Sequence, residues 1–211
     1  MGVSVLILGY SGSGKSTSLR NFDPGEVGVF NVASKPLPFR KHLDVVDRPN
    51  YGLVVKTIKA NRLNAYVIDD ANYLMAFENF ARAKETGYTK FVDMASNFEA
   101  ILEAANFASK DTITYFMMHP DVNDAGRMKA KTIGKMLDEK LCVEGMFPIV
   151  LLCEKGEDGF CFVTESDGLT PVKAPMGMFE ETRIDNDLKA VDGIIRAYWG
   201  LSPLKGGAPD A

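Results

Sequence analysis

The chain has 211 residues, 46% of them hydrophobic and 25% charged, proportions that suit one sizeable α/β domain able to bury a full core. With 24 basic against 28 acidic residues the net charge is -4, which excludes indiscriminate binding of nucleic acid over the whole surface and confines any such contact to a local basic patch. No apolar run approaches the ~20 residues of a membrane span, and the N-terminus enters a core strand instead of a signal peptide, so a cytoplasmic protein is expected.

The first element is an apolar strand over residues 3–8, followed at once by Gly9-Tyr10-Ser11-Gly12-Ser13-Gly14-Lys15-Ser16 and then Thr17. This is the full G-x-x-x-x-G-K-[ST] pattern of a phosphate loop, placed between a strand and a helix as that motif requires. Glycines at 12 and 14 let successive amides turn inward as an anion nest beside the positive end of the helix. Lys15 then reaches the terminal phosphates of ATP, and the Ser16 hydroxyl helps to hold Mg2+. A short helix to about Phe22 is ended by Asp23-Pro24-Gly25, and residues 27–32 read as the second strand.

Prolines 36 and 38 make the stretch from Lys35 to Phe39 a rigid extended connector. One or two helical turns are expected over residues 40–46, and the β-branched run 51–58 reads as a strand. Residues 65–70, Ala-Tyr-Val-Ile-Asp-Asp, form a buried strand closed by two acids. Asp69 is the expected magnesium ligand, since ligands gather at the carboxyl edge of such sheets. Asp70 stands where a water-orienting carboxylate belongs, or is a solvated loop acid.

Helices are expected over 74–84 and 91–108, the second with Phe91, Met94, Phe98, Ile101, Leu102 and Ala105 on one core face. Another buried strand, 112–118, ends at His119, which is placed to sense a third phosphate or to serve as an ordinary loop histidine. Arg127, Lys129, Lys131 and Lys135 then fall within nine residues free of acids, flanked and interrupted by Gly126 and Gly134. Three readings fit them: a solvated face, a loop for single-stranded DNA, or a finger toward a neighbouring subunit. A helix over 136–143 and a hairpin of 147–153 with 160–164 follow, so the sheet ends in antiparallel strands. After an irregular connector carrying Lys173, Asn186 or Asp187 caps a last helix with Leu188, Val191, Ile195 and Tyr198 on one face. The domain is expected to span 1–200, with a flexible tail over 201–211. Cys142, Cys153 and Cys161 lack the spacing of a zinc site or disulfide framework and are expected to be reduced and mostly buried.

Taken together, the phosphate loop near the N-terminus, the Lys35-Pro36-Leu37-Pro38-Phe39 connector, the Asp-ended strand, Thr132-Ile133-Gly134-Lys135-Met136-Leu137, and Lys173-Ala174-Pro175 with Asn186-Asp187-Leu188 resemble the short phage-encoded nucleotide-binding proteins of RecA-like fold. Those proteins are linked to single-strand annealing and recombination. The resemblance implies a RecA-like P-loop ATPase core: a mostly parallel central sheet flanked by helices, with antiparallel strands on the C-terminal side. It also implies a homo-oligomeric ring or filament on single-stranded DNA, ATP held between subunits, Lys173 reaching a neighbour's γ-phosphate, and a phage single-strand binding protein as a possible partner in a bacterial host cell. One position departs from it. RecA-like proteins place a catalytic glutamate at the end of the second strand, where this chain has Asn31-Val32-Ala33-Ser34. Two other functions therefore stay open: a nucleotide-controlled binding protein with little turnover, and a small-molecule or nucleotide kinase with a mobile basic lid.

Overall fold

The computed structural model describes residues 1–134, 141–157 and 159–206. Its strands are Val3–Leu8 (β1), Gly28–Asn31 (β2), Asp44–Asp47 (β3), Ala65–Asp69 (β4), Ile113–Met118 (β5), Pro120–Val122 (β6), Met128–Ala130 (β7), Ile149–Gly156 (β8), Gly159–Val163 (β9) and Arg183–Asp185 (β10). The α-helices are Tyr51–Ala60 (α1), Asn72–Ala81 (α2), Thr89–Asn106 (α3) and Leu188–Trp199 (α4). Eight strands form one sheet in the order β10-β9-β8-β1-β5-β4-β2-β3, and β6 with β7 make a separate hairpin.

From β8 to β3 every neighbouring pair is parallel, while β9 and β10 are antiparallel additions at one edge. Parallel strands need cover on both faces, and their side chains alternate accordingly. Leu6 and Leu8 of β1, with Phe116 and Met118 of β5, point into a core shared with α1, α2 and α3. Val5 and Ile7, with Tyr115 and Met117, point into the opposite core, which Leu19, Phe22 and the Leu188, Val191 and Ile195 face of α4 close. The expected class, an α/β fold on a mostly parallel sheet flanked by helices with antiparallel strands on the C-terminal side, is the one observed.

Several local expectations are corrected. Residues 51–58 form helix α1, not a strand, because Asn50 caps it through Oδ1, which accepts from the Leu53 amide at 2.9 Å, and Asn61 ends it in the left-handed region at φ 53°. Val54 and Ile58, four apart, face the core, which a helix satisfies and an alternating strand does not. Residues 40–46 make bends and enter β3 where helical turns were expected. The helix after the glycine-rich loop is a six-residue 3-10 helix, Ser16–Asn21. The basic stretch from Arg127 to Lys131 is no open loop, since most of it belongs to β7, paired with β6. The expected helix over 136–143 lies largely outside the described residues, as does Lys135.

Helix α4 is fastened by a buried polar cluster. Asp192, fully buried, accepts from the Tyr115 hydroxyl at 2.8 Å and pairs with Arg196, whose guanidinium also donates to the carbonyls of Asn64, Asp111 and Ser202. Each of these buried groups has a partner, as a low-dielectric interior demands. Where the sequence suggests that a tail begins, Leu201 and Leu204 pack on the core, and Lys205 donates its amide to Asn64 Oδ1 at 2.9 Å.

Candidate functional site

The carboxyl ends of β1, β4 and β5 open into one cleft of about 280 Å3, floored by the glycine-rich loop. The chain passes from β1 to β2 on one side of the sheet and only after β5 crosses β1 to β8 on the other, and such a switch point is where open parallel sheets place ligands. Gly12 and Gly14 take φ values of 79° and 100°, which side chains disfavour. At Gly14 a Cβ would also fall 2.6 Å from the Phe160 ring, so only glycine fits beneath that ring. Among the described residues, no backbone acceptor is paired with the amides of Gly14, Lys15 or Ser16, which leaves them for an anion.

Lys15 is buried and folds back on its own loop, donating to the carbonyls of Gly9 at 2.6 Å and Tyr10 at 3.1 Å. Burial pushes its ammonium below the ordinary lysine value, although Asp70 and Asp69 pull the other way. Ser16 donates its hydroxyl to Asp69 Oδ2 at 2.7 Å, which joins the loop to the end of β4. The second oxygen, Asp69 Oδ1, is buried with no hydrogen-bond partner, and so is Ser13 Oγ. Burial raises the Asp69 carboxyl above its ordinary range against the opposing hydrogen bond from Ser16. An orphaned carboxylate oxygen beside a hydroxyl fits a magnesium ion, which takes one or two protein oxygens and completes its shell with phosphate and water. Among the described residues no cluster of three or more His, Cys, Asp or Glu could hold a metal by itself, so any ion here depends on a ligand's oxygens.

Asp70 sits at φ 60°, an uncommon conformation for a residue other than glycine, and its side chain is held from two sides. Lys35 Nζ lies 2.7 Å from Oδ2, and His119 Nε2 lies 3.1 Å from Oδ1 without hydrogen-bond alignment. Burial alone would raise this carboxyl, but His119 and Lys35 outweigh it and hold it at about 2. His119 is fixed by its amide, which donates to Asn72 Oδ1 at 3.1 Å, and by edge contact with the Tyr73 ring.

The structure thus brings together residues 9–17, Asp69, Asp70 and His119. It does not bring Lys173 to the cleft of its own chain: Lys173 is exposed, and its backbone pairs with Val150 in an isolated bridge. Arg127 and Lys129 lie on the β6–β7 hairpin, which continues directly from His119, and the Lys131 amide donates to the His119 carbonyl at 2.9 Å. Three participants escape the sequence reading. Lys35 reaches Asp70 across 35 residues of chain. Asn31 holds the Lys35 backbone with both ends of its amide, at 2.8 and 3.2 Å. Cys153, pushed up to about 11 by burial, stays a thiol that donates to the Ser13 carbonyl at 3.1 Å and accepts from Asn186 at 3.2 Å. Only Asn31 carried a sequence signal, its place at the end of the second strand.

Compared with known proteins, the chain matches no protein-family model and no curated protein.

Proposed function

We propose that this protein is a RecA-like P-loop ATPase that works on single-stranded DNA in phage-type recombination or annealing. The observation that carries the proposal is the 2.7 Å bond from Ser16 to Asp69, made at the floor of a glycine-rich loop and leaving Asp69 Oδ1 unpaired. A chance glycine turn has no reason to set its serine against a buried, half-satisfied carboxylate 53 residues away. In this reading the free amides of 14–16 and Lys15 bind the phosphates, Ser16 and Asp69 hold Mg2+, and Asp70 orients water with His119 at its side. The ion, once bound, neutralises charge on the departing phosphoryl oxygens.

The sheet order supports the RecA-like assignment, since β5 lies between the loop strand β1 and the acid-ended strand β4 and is followed by His119, which lines the same cleft. The hairpin bearing Arg127 and Lys129 supports the DNA role, because β5 runs through His119 straight into it and gives bound DNA a short route to the cleft. An exposed Lys173 is free to meet a neighbouring subunit in a ring or filament. Among the described residues no helix is long and apolar enough to cross a membrane. One observation favours a second reading, a nucleotide-controlled binding protein with little turnover: a carboxyl held at about 2 is a weak base.

The test is ATP hydrolysis with and without single-stranded DNA, with particle mass measured in parallel. Hydrolysis that DNA stimulates in an assembly larger than one chain is the expected result. Nucleotide binding with negligible hydrolysis, whether or not DNA is present, supports the second reading, and absence of nucleotide binding overturns both.

A further inference from the structure

Lys35 is the cation of the cleft whose side chain the sequence reading gives no role. Its side chain is 61% exposed, so its pairing with Asp70 adds little to stability as an exposed ion pair. Yet its backbone is held on both sides. Asn31 Oδ1 accepts from the Lys35 amide and Asn31 Nδ2 donates to the Lys35 carbonyl. Ser34 before it turns at φ 53°, and Pro36 after it has its φ fixed by the ring. Asn31 is itself tied to Asp47 Oδ1 at 2.7 Å, which anchors the clamp to β3. The result is a long charged arm with a fixed shoulder, its ammonium 5.4 Å above the centre of the Tyr73 ring and touching the one cleft carboxylate that is not bound to Ser16.

Charge balance says what such an arm is for. In the cleft as it stands Lys15 and Lys35 offset Asp69 and Asp70, so the set is closed and neutral. A nucleoside triphosphate brings more negative charge than one magnesium ion and Lys15 can offset, and the excess sits on the third phosphate. Lys15 is confined near the loop by its bonds to Gly9 and Tyr10, whereas the Lys35 tip can swing about a fixed backbone within the same cleft. A terminal phosphate is a better partner for an ammonium than a carboxylate that already has His119 beside it, because the phosphate group carries up to two negative charges against the carboxylate's one.

We propose that Lys35 reads the third phosphate: on binding of a nucleoside triphosphate its ammonium leaves Asp70 for the terminal phosphate, and with a diphosphate it stays where it is. This inference rests on the cleft being a nucleoside triphosphate site, as proposed above. The exchange also frees one oxygen of Asp70 only when a hydrolysable phosphate is present, so substrate recognition and release of the water-orienting group become one event.

The experiment is calorimetric titration of ATP and of ADP, each with Mg2+, into the whole chain and its Lys35→Gln and Lys35→Arg variants. Glutamine keeps most of the stem and removes the charge, and the exposed position carries little risk to folding. Lys35→Gln is expected to weaken ATP about tenfold or more while changing ADP less than about twofold, the size of one charge-assisted contact. Lys35→Arg should recover most of the ATP affinity. Equal losses for both nucleotides, or an unchanged ATP affinity, overturn the role of Lys35 and leave the cleft assignment standing. A parent chain that binds neither nucleotide overturns the cleft assignment and this inference with it, and that failure is distinguishable because it is present before any substitution.

Discussion

Replacing Asp69 with asparagine should make the protein more stable and a worse magnesium binder, two effects of opposite sign from one atom. Asp69 is buried, one of its oxygens lacks any partner, and burial lifts its carboxyl above the ordinary range. An acid whose folded value is raised holds its proton more tightly folded than unfolded. At neutral pH the ionised group therefore costs stability, and the cost shrinks as pH falls below the folded value and is gone below the unfolded one. Each unit of elevation is worth about 1.4 kcal/mol, which in a chain of this size moves the melting temperature by roughly 3–5 °C. Asparagine keeps an acceptor for the Ser16 hydroxyl and removes the charge. Asp69→Asn should then melt higher than the parent at pH 8, with a gap that narrows toward pH 4.

Nucleotide binding should move the other way. Losing a charged ligand to the metal costs ~1.5–3 kcal/mol, or roughly 10- to 100-fold in magnesium-dependent affinity. The assay is a set of thermal melts by circular dichroism between pH 4 and 8, with and without Mg2+ and a slowly hydrolysed ATP analogue. The parent should gain melting temperature from the pair of ligands, and the variant should gain far less. A variant that melts several degrees lower at every pH would show that the carboxylate serves the fold, and an undiminished ligand shift would remove Asp69 from the metal site.

Lys15→Ala should weaken nucleotide binding by at least ~1.5 kcal/mol, the low end for a charged hydrogen bond, and unchanged affinity in a titration would refute the assignment of the glycine-rich loop. Asp70→Asn should leave ATP affinity intact or slightly improved, since a competitor for Lys35 is gone, while single-turnover hydrolysis slows ~10²-fold or more; a parental rate would end its assignment to water. Cys153→Ala removes the donor to the Ser13 carbonyl and should cost about 1 kcal/mol in denaturant unfolding, with Cys153→Ser recovering part of it; equal losses would mean that volume, not the thiol bond, matters. Mixing Lys173→Ala with Lys15→Ala subunits should restore some ATPase activity, because a few interfaces join an intact loop to an intact finger, and no recovery in assemblies shown to exchange subunits would count against a trans role.

What could be read from the residues alone follows the range of the physics involved. The glycine-rich loop, the acid-ended strand and the helical stripe of α3 are local patterns, in which spacing along the chain fixes what lies side by side. Helix α1 shows the limit of composition: its β-branched residues argue for a strand, but the cap at Asn50 and the four-residue interval from Val54 to Ile58 decide the matter. Both signals stand in the sequence, against a β-branched composition that points the other way. Lys35 and Cys153 were not legible in the same way. Each acts across a long loop, on Asp70 and on the Ser13 carbonyl, and such pairs exist only once the sheet order has brought β2, β4, β1 and β8 together. Connector prolines and a core cysteine gave their sequence positions an adequate structural explanation, which hid a second one.

The asparagine at the end of β2 is where the proposed RecA-like reading expects a glutamate, and its surroundings explain why a glutamate could not simply stand there. Asn31 Nδ2 donates to two acceptors, the Lys35 carbonyl and Asp47 Oδ1, while its oxygen accepts from the Lys35 amide. A carboxylate can accept but not donate, so glutamate at this position would face the Asp47 carboxylate and the Lys35 carbonyl with repulsion at both contacts. The clamp on Lys35 would open, and the cleft would hold a third acid against two lysines. Asparagine at 31 and lysine at 35 therefore belong to one arrangement, in which the second acid of the cleft comes from Asp70 at the end of β4 instead of from β2. Asp70 takes a left-handed backbone, a strain of order 1 kcal/mol or more, with its side chain bonded to Lys35 and close to His119.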